Sequence, residues 1–560
     1  MLAKAISRRK QSALRKRGKA SKTQSSFFEN RWKDENEDEE ENEQESFELK
    51  IDQPTGARKS LRLILHCSRL SVLTSVRTSG QGGIMNFQIH KSPRSSATWV
   101  ACCGAMAWIG TLLFSVLPLT SASGTTLVDP LPENSTTQFG YTAVAMGDLN
   151  GDGIPDLAVG APFQDGDFVS VNMGFGKPQN VGKVFLLDGA TLAVLNTLND
   201  PDFELIQPDH FGGLLGNSLA AVADLNADGV ADVVAGVPHH IVDRDTKNPV
   251  INAGKALVFS GKDGALLFVL TDPAPQEDGK MGTAVAGLGD VDADGTPDMA
   301  VGVPGEDLGD EEEGVSNVGL VYVFSGKTGQ VIRTLNHPDG DQAAGAAFGA
   351  ALANAGDIDQ DGASDLLVGA PGQGHVFVFS GRTGLLLFNI ASPTADALPS
   401  FGAAVAGGKD FNRDGKPDFV IGAPLQKNLR GAAYIFSGST GTLLRNLKPR
   451  PAQGFSRFGA SVFASDDVTG DRRANVIVSA PDQNVSGVPH AGQVFVFDGQ
   501  GKLVQSVTSA APQTHAHFGS SLTAADFDGN GVSTLVVGTP DQDANVDSRD
   551  HLQIGQIEIQ

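Results

Sequence analysis

One pattern recurs seven times along this chain and leaves it few folds to choose from. A large apolar residue followed by glycine, as in Phe139-Gly140, returns at Phe211-Gly212, Met281-Gly282, Phe348-Gly349, Phe401-Gly402, Phe458-Gly459 and Phe518-Gly519. Each pair is followed by an apolar stretch, an Asp-rich turn, and a second apolar stretch that ends in a small-residue triplet. The triplets are Gly160-Ala161-Pro162, Gly236-Val237-Pro238, Gly302-Val303-Pro304, Gly369-Ala370-Pro371, Gly422-Ala423-Pro424, Ser479-Ala480-Pro481 and Gly538-Thr539-Pro540. Two more apolar segments complete each repeat, so every copy holds four strand-sized pieces separated by Gly, Pro, Asp or Asn. Runs such as Leu157–Val159 and Leu366–Val368 do not alternate and need cover on both faces. Radially stacked four-stranded blades supply it, and about sixty residues per repeat suits one blade with long loops. The expectation is an all-β, seven-bladed β-propeller over residues 124–560. Its last repeat stops at Gln560 after a third strand, while Thr125–Val128 stands where a fourth strand precedes every other repeat. Pairing the two would close the ring and remove an exposed edge.

The Asp-rich turns carry the chemistry. Oxygen donors stand at loop positions 1, 3, 5 and 9, with glycine at position 6. They are Asp148, Asn150, Asp152 and Asp156; Asp224, Asn226, Asp228 and Asp232; Asp290, Asp292, Asp294 and Asp298; Asp357, Asp359, Asp361 and Asp365; and Asp410, Asn412, Asp414 and Asp418. A Ca2+ ion takes six to eight oxygens, so a short loop must curl and point alternate side chains inward. Glycine at position 6 allows the sharp turn. The backbone carbonyl of position 7 (Ile154, Val230, Thr296, Ala363 or Lys416) adds a donor, and the position-9 aspartate is placed to bind bidentately. An EF-hand would need Glu at position 12 and flanking helices. Position 12 here is Val159, Ala235, Val301, Val368 or Ile421, inside an apolar strand. Repeat six reads Asp467-Val-Thr469-Gly-Asp471-Arg472-Arg473, with arginines where a cation would sit, and is expected to bind none. Repeat seven keeps Asp526, Asp528 and Asn530 but has Thr534 at position 9. Five calcium sites are expected, with a weaker sixth at most in repeat seven.

The Phe-Gly and Gly-Ala-Pro pattern around an Asp-rich loop resembles the FG-GAP repeat of integrin α chains, and the resemblance covers nearly everything after Gly124. It implies an extracellular adhesion or ligand-binding module rather than an enzyme. The ligand would sit on the face opposite the calcium loops, where the second and third strands of each blade connect. Those connections are long in repeats one to three, and candidates on them are Asp165, Asp167, Asp243, Arg244, Asp245, Glu306, Asp307 and the run Asp310–Glu313. The partner would be an extracellular protein or polysaccharide. The alternative class is a glycan lyase or hydrolase working on the same face. No Gly-x-Ser-x-Gly elbow, phosphate-binding loop or HExxH motif is present.

Charge separates the chain into two parts. Residues 1–123 hold 19 basic and 12 acidic side chains, leaving 23 basic and 53 acidic for the remainder. So acidic a domain repels phosphate backbones and anionic lipid, which argues against nucleic acid. All three cysteines, Cys67, Cys102 and Cys103, precede Gly124, so the repeats have neither disulfides nor a thiol metal site. Residues 1–84 read as a disordered or untranslated extension. Within 85–123, His90, Lys91 and Arg94 precede the apolar run Trp99–Leu117 and the small residues Ser121-Ala122-Ser123. That order is a secretory signal peptide, with translation starting at Met85. An uncleaved anchor over 98–117 is the alternative, since the run approaches the ~20 residues a span needs. Both place the repeats in an extracellular, periplasmic or cell-surface setting. Asn134 and Asn484 match the N-glycosylation pattern.

Overall fold

A computed structural model describes residues 49–50, 60–67, 70–77, 125–131, 137–165, 169–171, 174–176, 180–202, 212–242, 248–309, 314–395, 399–543 and 555–560. The leader reading of 85–123, Phe211, Asn134, and the candidates Asp167, 243–245 and 310–313 lie outside them. The chain divides into two units, Met1–Leu117 and Pro118–Gln560. In the first, Ser60–Cys67 pairs antiparallel with Leu70–Arg77 and with Leu49–Lys50. Among the described residues, no helix is long and apolar enough to cross a membrane.

The second unit is a seven-bladed propeller of four-stranded antiparallel sheets. Blade four shows the plan: Ala351–Gly356, Asp365–Ala370, His375–Phe379 and Leu386–Ala391 lie in sheet order as they do in sequence. The first strand of each blade touches the first strand of the next all round the ring, so these strands are innermost. Blade seven is composite. Its first three strands are Leu522–Ala525, Thr534–Thr539 and Gln556–Ile559, and the fourth is Thr125–Val128, with Thr125 opposite Ile559 and Val128 opposite Gln556. Thr125–Val128 thus closes the ring against Gln556–Ile559, as the repeat phase predicts.

The core is divided among the seams. Each of the seven buried apolar clusters draws on two adjacent blades. Leu366 and Val368 face blade three while Leu367, between them, faces blade five. Both faces of the strand are therefore packed, which explains a run without alternation. Where the repeat has phenylalanine it anchors the blade: Phe139 meets Phe185 edge-on at 5.5 Å, and Phe458 meets Phe495 at 5.6 Å.

The glycines of the motif have a common purpose. The N–H of the Phe-Gly glycine donates to the first carbonyl of its own blade's triplet, as from Gly349 to Gly369 (3.0 Å) and from Gly402 to Gly422 (3.0 Å). The triplet glycine in turn lies against the next blade: a Cβ on Gly369 would run into the Gly402 carbonyl. Backbone-to-backbone approach at the seam leaves no room for a side chain. This register corrects repeat two. There the bond to Gly236 comes from Gly216 (3.2 Å), and the buried anchor is Leu215, so the structural counterpart of Phe-Gly is Leu215-Gly216, four residues beyond Phe211-Gly212.

Candidate metal centres

The Asp-rich loops join the first and second strands, all on one face. Their shape is set by carboxylates accepting backbone N–H groups. In blade four, Asp357 accepts from Asp361 (3.0 Å) and Gly362 (3.0 Å), Asp359 accepts from Asp361 (3.1 Å), and Asp361 accepts from Ala363 (3.0 Å). Asp148, Asp224, Asp290 and Asp410 hold the position-6 glycines Gly153, Gly229, Gly295 and Gly415 in the same way. Gly362 has φ +89°, the left-handed conformation that glycine adopts without strain. These bonds favour the ionised carboxylate, and Asp148 and Asp224 are held below the usual carboxylate range, chiefly by Gly153 and Gly229 respectively.

Position 9 is different. Asp156, Asp232, Asp298, Asp365 and Asp418 are all fully buried. Asp365 accepts the Ile358 N–H on one oxygen (2.7 Å) and the Gly381 N–H on the other (3.0 Å). The same pair of bonds fixes Asp156 to Leu149 and Gly189, Asp232 to Leu225 and Gly261, Asp298 to Val291 and Gly326, and Asp418 to Phe411 and Gly438. The bidentate role expected from sequence is thus shared with the backbone. One oxygen holds the second residue of the loop itself and the other ties the loop to the end of the third strand, so both oxygens already accept backbone N–H groups. Burial pushes Asp365 and Asp418 up to about 6, with neighbouring carboxylates adding to it.

The carboxylates at positions 1, 3 and 5 converge. Oxygens of Asp290, Asp292 and Asp294 lie within 4.8 Å of one another, as do those of Asp357, Asp359 and Asp361. Two oxygens bound to one Ca2+ at about 2.4 Å can be at most about 4.8 Å apart, so each triad fits a single ion. The donors are all hard oxygens, which suits Ca2+ and not a thiolate- or imidazole-seeking metal. Asn150, Asn226 and Asn412 take position 3 in blades one, two and five, each accepting the N–H of Asp152, Asp228 or Asp414. In blade seven Asp526 accepts from Gly531 (2.8 Å) and Asn530 from Val532 (2.7 Å), while position 9 is Thr534. In blade six Asp467 accepts from Arg472, and Asn475 stands at position 9.

On the opposite face, three candidates differ from expectation. Glu306 is buried, 6% exposed, and not a solvated contact residue. Asp307 is engaged within the loop, accepting the Asn317 N–H (2.7 Å). Asp165 likewise accepts from Asn180 (3.1 Å). Sequence reasoning missed a polar chain across blades six, seven and one. Arg457 and His517 both pair with Asp482, His517 also with Asp541 (2.7 Å), and Gln138 Nε2 donates to Asp541 (2.8 Å). These residues directly precede each Phe-Gly or directly follow each triplet proline, so aligning the repeats would have placed them together.

The family model of the FG-GAP repeat matches residues 140–187, 281–324, 348–384 and 401–436. These fall on four of the five blades whose loops keep both the turn glycine and the closing aspartate. Human integrin alpha-11 is 32% identical over 180 residues, covering 30% of this chain and 15% of that one. Integrin alpha-5 of Xenopus laevis is 30% identical over 251 residues (44% and 21%), and integrin alpha pat-2 of Caenorhabditis briggsae is 30% identical over 279 residues (46% and 21%). The aligned part thus spans about a fifth or less of these relatives.

Proposed function

From the premise that this chain is an FG-GAP repeat propeller related to integrin α chains, we propose that it is an exported, calcium-stiffened module that binds an extracellular protein or polysaccharide without turning it over. The observation that carries this reading is the convergence of three carboxylates in the loops of blades three and four, whose positions are filled by two aspartates and one asparagine in blades one, two and five. The ions would be held by Asp148, Asn150, Asp152 and Asp156 and by their counterparts in blades two to five, with the position-7 carbonyls. Each loop connects two strands of one blade, so the ion stiffens that blade. At a hundred times its dissociation constant, one ion contributes about 2.7 kcal/mol. The ligand would sit on the other face, and calcium would act on it only through the rigidity of the ring.

A glycan and matrix-protein binding array with exported protein, run with and without chelator, tests this reading. Specific capture of one ligand class supports it. Cleavage of polysaccharides at enzyme-like rates would overturn it in favour of the hydrolase or lyase alternative. N-terminal sequencing of the exported protein tests the leader: a start near Gly124 supports cleavage, and retention of residues 1–84 favours the anchor.

A further inference from the structure

We propose that Glu306 carries its proton in the folded protein and, in that form, closes the seam between blades two and three as glutamine does in five other blades. Two residues after each triplet proline stand Gln164, His240, Glu306, Gln373, Gln426, Gln483 and Gln542. The backbone makes these positions equivalent. Glu306 N–H donates to Val303 (3.3 Å) and its carbonyl accepts from Gly319 (2.9 Å). Gln483 does the same with Ala480 and Gly492, and Gln542 with Thr539 and Gly555. The glutamine side chains all donate into the stretch that follows the preceding blade's fourth strand. Gln164 reaches the Leu131 carbonyl (3.1 Å), Gln373 that of Gln342 (3.0 Å), Gln426 the Ser392 hydroxyl (2.7 Å), Gln483 the Pro451 carbonyl (3.5 Å) and Gln542 that of Ala511 (3.2 Å).

The next residue repeats too. Asp307 exchanges two hydrogen bonds with Gln276, as Asn484 does with Gln453 and Asp543 with Gln513. In this register Ala274 of blade two corresponds to Pro451 and Ala511, so its carbonyl would be the acceptor for a protonated Glu306. A carboxylate has no proton to give, whereas a carboxylic acid matches the shape and donor of the amide it replaces.

The surroundings favour the acid. Oε2 of Glu306 and Oδ2 of Asp272 are buried without a hydrogen-bond partner. At the seam between blades one and two, the buried Lys255 ammonium bonds Asp200 (2.8 Å) and Asp202 (2.7 Å). Blade three has Leu320 at the position of Lys255, so no base is supplied there. Among the described residues, the charged groups acting on Glu306 are acidic, and the nearby Lys280, next to the Gly279 that Oε2 lies against, is paired with Asp278 (3.5 Å). Asp272 comes from the end of blade two, Asp307 is adjacent in the loop, and Tyr322 comes from the third strand, donating to Asp272 (2.9 Å). Burial first, then Asp272 and Asp307, push the Glu306 carboxyl up to about 8.

The sign of the pH effect follows. A raised carboxyl pKa gives stability that is complete below the unfolded value and lost as pH climbs to the folded one. Thermal unfolding of the full chain and of Glu306→Gln, at fixed saturating calcium from about pH 5 to about pH 9, reads it directly. The variant should match wild type at the acid end, melt progressively higher than wild type as pH rises, and hold a constant lead above about pH 8. Infrared spectra of the wild type should show a protonated-carboxyl stretch that titrates near pH 8 and is missing from the variant. A difference in melting that does not change with pH, or a wild-type spectrum without that band, would show Glu306 ionised and overturn the proposal. The wild-type band decides the matter even if the variant fails to fold.

Discussion

The loops of blades four and six are built on one backbone plan from opposite electrostatics. In blade four, Asp357 accepts the N–H of Gly362 and Asp365 accepts that of Ile358. In blade six, Asp467 accepts the N–H of Arg472 and Asn475 accepts that of Val468 (2.9 Å). Arg472 even adopts the left-handed backbone of the missing glycine, at φ +62°. Yet positions 3 and 9 are neutral in blade six, as Thr469 and Asn475, and two arginines follow Asp471. The loop thus keeps its form without a carboxylate triad. Positions 1 and 9 shape the turn whether or not position 9 is charged, and blade six differs in lacking the carboxylate or amide oxygen at position 3 and the carboxylate at position 9 that a cation would need.

The largest test of that division is removal of calcium. Chelation should lower the melting temperature of the whole protein, since up to five loops each lose about 2.7 kcal/mol at a hundredfold excess over the dissociation constant. Crowded carboxylates such as Asp290, Asp292 and Asp294 would then repel one another, while the seams keep their apolar packing. Circular dichroism should accordingly show an intact β signal with an earlier melt. Native mass spectrometry counts the ions: five are expected, none of them in blade six. Fewer than three, or an ion lost on Asp471→Ala, would erase the contrast between the two loops.

Next in size is the position-9 residue. Asp365→Ala strands two buried N–H groups, those of Ile358 and Gly381, at about 1–3 kcal/mol each. That penalty should persist in chelator, because the bonds do not involve the ion. Asn475→Ala should cost less, since the Asn475 Oδ1 accepts one N–H and its amide nitrogen turns instead to the Phe497 carbonyl at 3.4 Å. Chemical denaturation of both variants with and without calcium separates the two contributions. Equal losses would mean that the second bond of Asp365 adds nothing.

Much of this was legible in the sequence because the repeat supplies seven readings of one design. Blade number, strand order, closure by Thr125–Val128 and the aberrant sixth loop all follow from comparing copies. Leu215-Gly216 escaped because Phe211-Gly212 matches the motif by letter. The interval from the pair's glycine to the triplet, the same from Gly140 to Gly160 as from Gly282 to Gly302 and from Gly349 to Gly369, points to Gly216 for Gly236. The position-9 aspartates advertise a carboxylate but not the N–H of Gly381 or Gly438, which arrives from a strand far along the chain. Glu306 read as one more candidate contact residue in an acidic loop. Its burial depends on the blade-two loop, clasped through Gln276 over the seam, and no local pattern reveals that.

A single-ion variant makes a finer cut. Asp361→Ala should remove the ion of blade four alone, lowering the count by one, while Asp471→Ala in blade six changes neither count nor melting temperature.

The smallest expected effect falls on Arg472. A non-glycine residue in the left-handed region costs about 1–2 kcal/mol, and glycine's greater freedom in the unfolded chain takes back about 0.5–1 kcal/mol. Arg472→Gly should therefore stabilise the protein by roughly 0.5–1 kcal/mol, measured by denaturant midpoint at unchanged slope. It should not create a calcium site. The turn would gain the geometry of the other loops, but Thr469 and Asn475 would still leave only Asp467 and Asp471 as charged donors, with Arg473 beside them. If Arg472→Gly alone bound calcium in native mass spectra, turn geometry rather than the carboxylate set would govern these sites. If it stayed metal-free while the combination with Thr469→Asp and Asn475→Asp bound one ion, the donors at positions 3 and 9 would be what blade six lacks.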